Sequence, residues 1–272
     1  MKKIFAMLMA VLMLAVVALG VTSCTTDKKV ISVGYTDYPP MNYLDENNEL
    51  VGFDTELAKA VFEKLGYDEV IFKLIKWENR YTELSSGNVD CLWNGFTANT
   101  ADPDGVMRAE KVDFSYNYME NRQVVVVQKS SLAELEASSA TKNQLLKDKL
   151  GYVEASSAGA TYAESFEGAL VQEATKQMDA IMQVVSNSAY FAIVDAQLAE
   201  SLVGKGDYSN LAIAAFLTSD VEYYAVGFEK GSELTAQVNE QLEALAADGT
   251  IDALAIKYGV ENTVLTDFSD QK

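Results

Sequence analysis

The chain has 272 residues, 40 acidic against 21 basic for a formal net charge of −19, and no histidine. So acidic a balance argues against a nucleic-acid binder, which needs clustered Lys and Arg. The missing imidazole excludes Ser-His triads, histidine general bases and zinc sites built on histidine. The acidic excess itself reads as a solvated, self-repelling surface and says little about a ligand, which meets only its local pocket. The cysteines are Cys24 and Cys91, with no CxxC pair, so no metal or cofactor is expected and Cys91 reads as a small buried hydrophobe.

Met1-Lys2-Lys3 precedes an apolar run over 4–20, the parts of a secretory signal. Val21-Thr22-Ser23-Cys24 then resembles a bacterial lipobox. Residues 1–23 are therefore expected to be a lipoprotein signal peptide, with Cys24 lipidated as the new N-terminus. The alternative is an uncleaved anchor, since the run approaches spanning length. In either case the folded part lies outside the cytoplasm.

Residues 24–29 read as a polar tether. The stretch 30–35 predicts a strand, ended by Asp37-Tyr38-Pro39-Pro40, because proline lacks an N–H and holds φ. A hairpin turns over 44–52. The spacing over 54–65 predicts a helix capped by Asp54, with Leu57, Ala58, Val61, Phe62 and Leu65 on one face and Gly66 as its stop. A strand follows at 70–74, then a short helix from Trp77 to residue 84. Asn88-Val89-Asp90-Cys91-Leu92 reads as a buried strand over 89–92 that ends in a turn at Asn94-Gly95.

Further on, 123–128 carries four consecutive valines and predicts a buried strand. The segment 131–149 reads as a polar helix over a surface loop, 149–153 as a strand, and 155–159 as the lead into a helix. Another helix is predicted over 176–185, a strand over 190–194, a helix to about 203, an apolar stretch at 211–216 and a strand over 223–228. Helices over 234–246 and 250–258, stopped by Gly249 and Gly259, close the chain. Strands alternating with helices predict an α/β protein with parallel βαβ units and covered sheets.

Ligands in open α/β sheets bind at strand ends. The Asn94-Gly95 turn brings the Thr97 hydroxyl, free backbone N–H groups and the Arg108 guanidinium to one such end, donors that suit a carboxylate. An arginine paired with a surface acid is the ordinary alternative for Arg108. Ser156 and Ser157 sit where a helix begins; they can cap it, form an anion seat at its N-terminus, or do both. Asp195 ends an apolar strand, as a helix cap or as a partner for a cation in the crevice. Tyr38 and Trp77 are core aromatics, or walls around a ligand's carbon chain. An anion site, a cation site and an apolar slot together describe a free α-amino acid.

Those residues sit in motifs that resemble the extracellular solute-binding proteins of bacterial ABC importers for polar amino acids. The motifs are Tyr-Pro-Pro-Met at 38–41, Leu-Val-Gly-Phe-Asp at 50–54, Ser-Gly-Asn-Val-Asp at 86–90 and Asn-Gly-Phe-Thr at 94–97. They continue through 108–115, Ile-Val-Asp at 193–195, Tyr-Ala-Val-Gly-Phe at 224–228 and Ala-Asp-Gly-Thr at 247–250. The resemblance implies the bilobal type II periplasmic-binding-protein fold, two α/β lobes joined by two hinge crossings. Lobe one would be 30–118 with 224–272, lobe two 123–219, and the hinges 119–122 and 220–223.

It further implies Tyr38 and Trp77 as stacking aromatics, and Gly95, Thr97, Arg108 and Ser157 as carboxylate ligands beside Ser156. Asn94 would face the ligand through its backbone, and Asp195 would accept the α-ammonium. The implied partners are an ABC permease and its ATPase, reached by a monomer anchored to the cell membrane through Cys24. The pattern departs in three places. Extra residues around 101–105 separate Thr97 from Arg108 and read as a loop. Ala155 replaces a glycine. Tyr35 stands where relatives for basic amino acids place an acid, which points to a polar or neutral ligand side chain, although Asp37 lies nearby. Two other functions are open. One is an exported enzyme on the same fold, such as a cyclohexadienyl-dehydratase-like protein, for which Glu154 is a candidate acid. The other, a receptor's sensing lobe, is disfavoured by a chain ending at Lys272 without a signalling segment.

Overall fold

The computed structural model describes residues 28–271. The segment expected to be a signal peptide, 1–23, Cys24 and most of the expected tether lie outside the described residues.

The chain opens with β1 (Val30–Tyr35), the hairpin β2 (Tyr43–Leu44) and β3 (Leu50–Val51), helix α1 (Phe53–Lys64) and β4 (Glu69–Leu74). A 3-10 turn, Trp77–Asn79, runs into α2 (Arg80–Ser85), then β5 (Cys91–Leu92), α3 (Arg108–Lys111) and β6 (Asp113–Phe114). It leaves this lobe through β7 (Met119–Asn121) and builds β8 (Gln123–Gln128), α4 (Lys129–Ala137), β9 (Leu150–Glu154), α5 (Ala158–Ala163) and β10 (Leu170–Ala174). There follow α6 (Gln177–Val185), β11 (Phe191–Asp195), α7 (Ala196–Leu202) and β12 (Leu211–Thr218). The return passes through β13 (Glu222–Tyr224) to β14 (Gly227–Phe228), α8 (Leu234–Ala247) and α9 (Thr250–Tyr258).

Two five-stranded sheets result, ordered β4-β1-β5-β14-β6 and β10-β9-β11-β8-β12. In the first, β1 runs parallel to β4 and β5, while β14 is antiparallel to both its neighbours. In the second, β9 is parallel to β10 and β11, and β8 is antiparallel to β11 and β12. A small antiparallel ladder links the two, with Asn121 opposite Glu222 and Met119 opposite Tyr224. The architecture is α/β, with two open-sheet lobes.

Local chemistry explains most elements. Val124, Val125, Val126 and Val127 are all buried because β8 has a strand on each side and helices on both faces. Leu57, Ala58, Val61 and Phe62 form the fully buried face of α1. Helix α9 lies between left-handed residues, Gly249 at φ 80° and Gly259 at φ 70°, a conformation that costs glycine little.

Three expectations need correction. Strand β10 is absent from the sequence reading: as an edge strand it is exposed over most of its length, so it shows no apolar alternation. The strand over 223–228 is two strands, because Ala225 and Val226 carry the chain from the small ladder into the first sheet. There the Ala225 N–H donates to the Phe96 carbonyl at 3.0 Å. Asp54 does not cap α1, whose N-cap position is Gly52 with no side-chain cap. Its buried carboxylate instead accepts the Gly95 N–H at 2.7 Å.

Candidate functional site

Trp77 follows β4, the Asn94-Gly95 turn follows β5, Glu154 ends β9 and Asp195 ends β11, so the parallel strands of both sheets present their carboxyl ends to one crevice. One lobe lines the pocket there with Trp77, Asn94, Gly95, Thr97 and Arg108. The other contributes Glu154, Ser157, Ala158, Gln177 and Asp195. The lobes also touch around it. Arg108 Nη2 donates to the Ser156 carbonyl at 3.4 Å, and Thr161 Oγ1 to the Ala101 carbonyl at 3.1 Å. Lys176 faces Asp37 at 3.9 Å.

Each predicted residue can now be placed. Arg108 is 1% exposed and its Nε donates to Asp102 at 2.8 Å, with Nη1 reaching the Thr97 carbonyl at 3.3 Å. Asp102 belongs to the extra loop, which is therefore structural: its carboxylate also pairs with Arg80 and takes bonds from Tyr81 at 2.7 Å and Lys111 at 2.8 Å. Burial opposes ionisation of Asp102, but Arg80, Arg108 and Lys111 outweigh it and hold the carboxyl at about 2. Trp77 packs edge-to-face on Phe96 at 4.9 Å, with the Arg80 guanidinium 5.0 Å over its ring.

Asn94 locks its turn by exchanging hydrogen bonds with Thr36, both at 2.7 Å. The Thr97 hydroxyl donates to Glu222 at 3.4 Å. Ser157 caps α5, its hydroxyl accepting from the Ala160 N–H at 3.1 Å while it lines the pocket. Asp195 caps nothing. One of its oxygens takes Asn121 and Gln123, each at 2.6 Å, and the other takes the Gln177 amide. Burial pushes its carboxyl up, against the pull of those amides.

Three placements differ from expectation. Tyr38 is 2% exposed, absent from the pocket wall, and hydrogen-bonded through its hydroxyl to Tyr224 at 2.6 Å. Ser156 is not among the pocket-lining residues; it holds a left-handed conformation, φ 58°, and meets Arg108 through its carbonyl. The Gly95 N–H is not free, because Asp54 takes it. Asp54 itself is pushed up to about 7 by burial.

Gly95 is constrained twice over. Its φ is 58°, and a Cβ there would lie 2.7 Å from Tyr38 Cε1 and 3.0 Å from Tyr224 Cε2. Gly95→Ala is expected to cost about 2 kcal/mol or more of stability. A thermal melt unchanged within a degree would contradict this.

The sequence reading missed Gln177, Gln123 and Asn121, the amides that hold Asp195, and Glu222, whose carboxyl is pushed up to about 7 by burial and by Asp195. Amides on separate elements carry no spacing signal, so nothing in the chain order marks them. From the sequence, Glu154 reads only as a candidate catalytic acid. It lines the pocket, 4% exposed, and is pushed up to about 8 by burial and then by Asp195.

This fold is the bilobal periplasmic-binding-protein fold of type II. Residues 31–261 match the family described as bacterial extracellular solute-binding proteins, family 3, and the chain belongs to that family. It is 28% identical over 236 residues to the arginine-binding extracellular protein ArtP of Bacillus subtilis (strain 168), covering 85% of this chain and 86% of ArtP. Its structure is similar to that of an ancestral arginine-binding protein bound to arginine, with TM-score 0.74, 28% identity, and 85% and 98% of the two chains covered. It is also similar to the ancestral amino acid-binding protein AncCDT-1, described as a precursor of cyclohexadienyl dehydratase. There the TM-score is 0.72 and the identity 27%, over 85% of this chain and 95% of the other. Among the described residues no helix is long and apolar enough to cross a membrane, and no cluster of acids, cysteines or histidines could hold a metal ion.

Proposed function

We propose that this protein binds a free amino acid between its lobes, outside the cytoplasm, and delivers it to an ABC permease and its ATPase. The observation that carries this is one pocket with Arg108 from the first lobe and Asp195 from the second. A carboxylate on the guanidinium and an ammonium on the aspartate would each be paired only with the lobes together. Binding therefore favours the closed state by differential contacts, with 119–122 and 220–223 as the hinges between lobes 30–118 plus 224–272 and 123–219. A lipid on Cys24 would keep the protein, as a monomer, at the membrane beside its permease. The arginine-binding relatives and the acids in the pocket weigh against the polar or neutral side chain inferred from Tyr35.

Isothermal titration against the proteinogenic amino acids and cystine tests the reading. At least one tight ligand is expected, and none among them would overturn it. The second reading, an exported dehydratase, is favoured by a single observation, the buried Glu154 with a pKa of about 8, suited to a general acid. Mass spectrometry after incubation separates the two: an unchanged ligand supports the carrier, and a dehydrated product the enzyme.

A further inference from the structure

The cleft holds one acid more than an amino acid with a neutral side chain would use. Arg108 stands ready for a carboxylate, held in place through Asp102. Asp195 is set by three amides and stands ready for an ammonium. Glu154 is different. It is 4% exposed and lines the same pocket, yet among the described residues no donor hydrogen-bonds to its carboxyl and no cation pairs with it. Asp195 and Asp179 act on it as like charges, and Arg80 and Arg108 as opposite ones. Its oxygens are not among the sealed, unpartnered atoms of the interior, so they reach the pocket, where a poorly solvated carboxyl gains from a partner. In a pocket that opens by hinge motion, the available partner is the ligand.

We propose that Glu154 accepts a second cationic group carried on the ligand's side chain, a guanidinium, ammonium or imidazolium, and so selects cationic over neutral amino acids. This deepens the amino-acid reading above and rests on it. Burial and the neighbouring Asp195 push the Glu154 carboxyl up to about 8, so without a cationic partner it holds a proton at neutral pH. A cationic side chain expels that proton to solvent and pairs with the carboxylate left behind. Affinity for such a ligand then rises about tenfold per pH unit toward pH 8 and is flat above it. A neutral side chain needs the protonated acid, so its affinity is flat below pH 8 and falls above.

L-arginine and its neutral isostere L-citrulline, titrated calorimetrically from pH 6 to 9 into wild-type protein and Glu154→Gln, test this. For wild type, arginine is expected to bind about 100-fold tighter than citrulline at pH 8 and to weaken about 100-fold on going to pH 6. Glu154→Gln should lose about 100-fold for arginine at pH 8 and lose the pH slope. The wild-type pH slope alone decides the matter should the variant fold poorly. An amino acid that binds with no pH slope and an unchanged arginine-to-citrulline ratio in Glu154→Gln overturns the role of Glu154 and leaves the carrier reading standing. No amino-acid binder at all overturns the carrier reading, and this proposal with it.

Discussion

Arg108→Ala is expected to weaken amino-acid binding by about a thousandfold, a loss of roughly 4 kcal/mol. The guanidinium is 1% exposed, and among the described residues it is the cation that lines the pocket. Without it a ligand carboxylate is left unpaired in a desolvated cleft. The contact with the Ser156 carbonyl across the lobes is lost as well. The fold should survive, since Asp102 keeps Arg80 and Lys111. Arg108→Lys should recover little, because a point charge cannot serve Asp102, the Thr97 carbonyl and a ligand from one planar fork. Titration beside a thermal melt measures both effects; wild-type affinity in Arg108→Ala would remove Arg108 from the site.

Asp102→Asn is expected to cost about 3–5 kcal/mol of stability, lowering the melting temperature by about 10 °C. One carboxylate, 4% exposed as a residue, pairs with Arg80, Arg108 and Lys111, and an amide leaves two nearly buried guanidinium groups without their acid. The pH dependence has a definite sign. The folded carboxyl sits at about 2, below its ordinary 3.8, so its stabilisation is complete above pH 4 and lost as pH falls through 2. The shift corresponds to about 2 kcal/mol. Melts between pH 6 and 2 should show that drop in the wild type and its absence in Asp102→Asn. Parallel curves would deny Asp102 this role.

The opposite sign holds for Asp54, Glu154 and Glu222, raised to about 7, 8 and 7. The folded state holds their protons longer than the unfolded chain does. Ligand-free stability should therefore fall as pH rises from about 4.5 to 8. A melting temperature that climbs over that interval would contradict the assignment.

Much of this protein is legible before folding. The apolar spacing of Leu57, Ala58, Val61 and Phe62, the valines of β8 and the glycines flanking α9 each encode an element through interactions within a few residues. Gly95, Ser157 and Asp195 sit at or just after the ends of β5, β9 and β11, a local property, whereas Arg108 opens α3 and joins them only through the fold. An edge strand such as β10 needs little apolar surface, so its sequence carries no sign of it.

The partnerships follow a different rule. Asp54 reads as a helix cap until the fold brings the Gly95 N–H, 41 residues on, against its carboxylate. Asp102 reads as a loop residue until Arg80, 22 positions earlier, closes on it from the other side. Gln177 and Asn121 become the setting of Asp195 only where the second lobe folds on itself and against the connecting ladder. The α/β class, most of the elements and several positions facing the crevice were thus determined by the sequence alone, because short-range sterics and periodic burial encode them. Which acids are paired, and that Glu154 is not, was decided by tertiary structure, because desolvation and hydrogen bonding between distant segments exist only once the chain has crossed between its lobes.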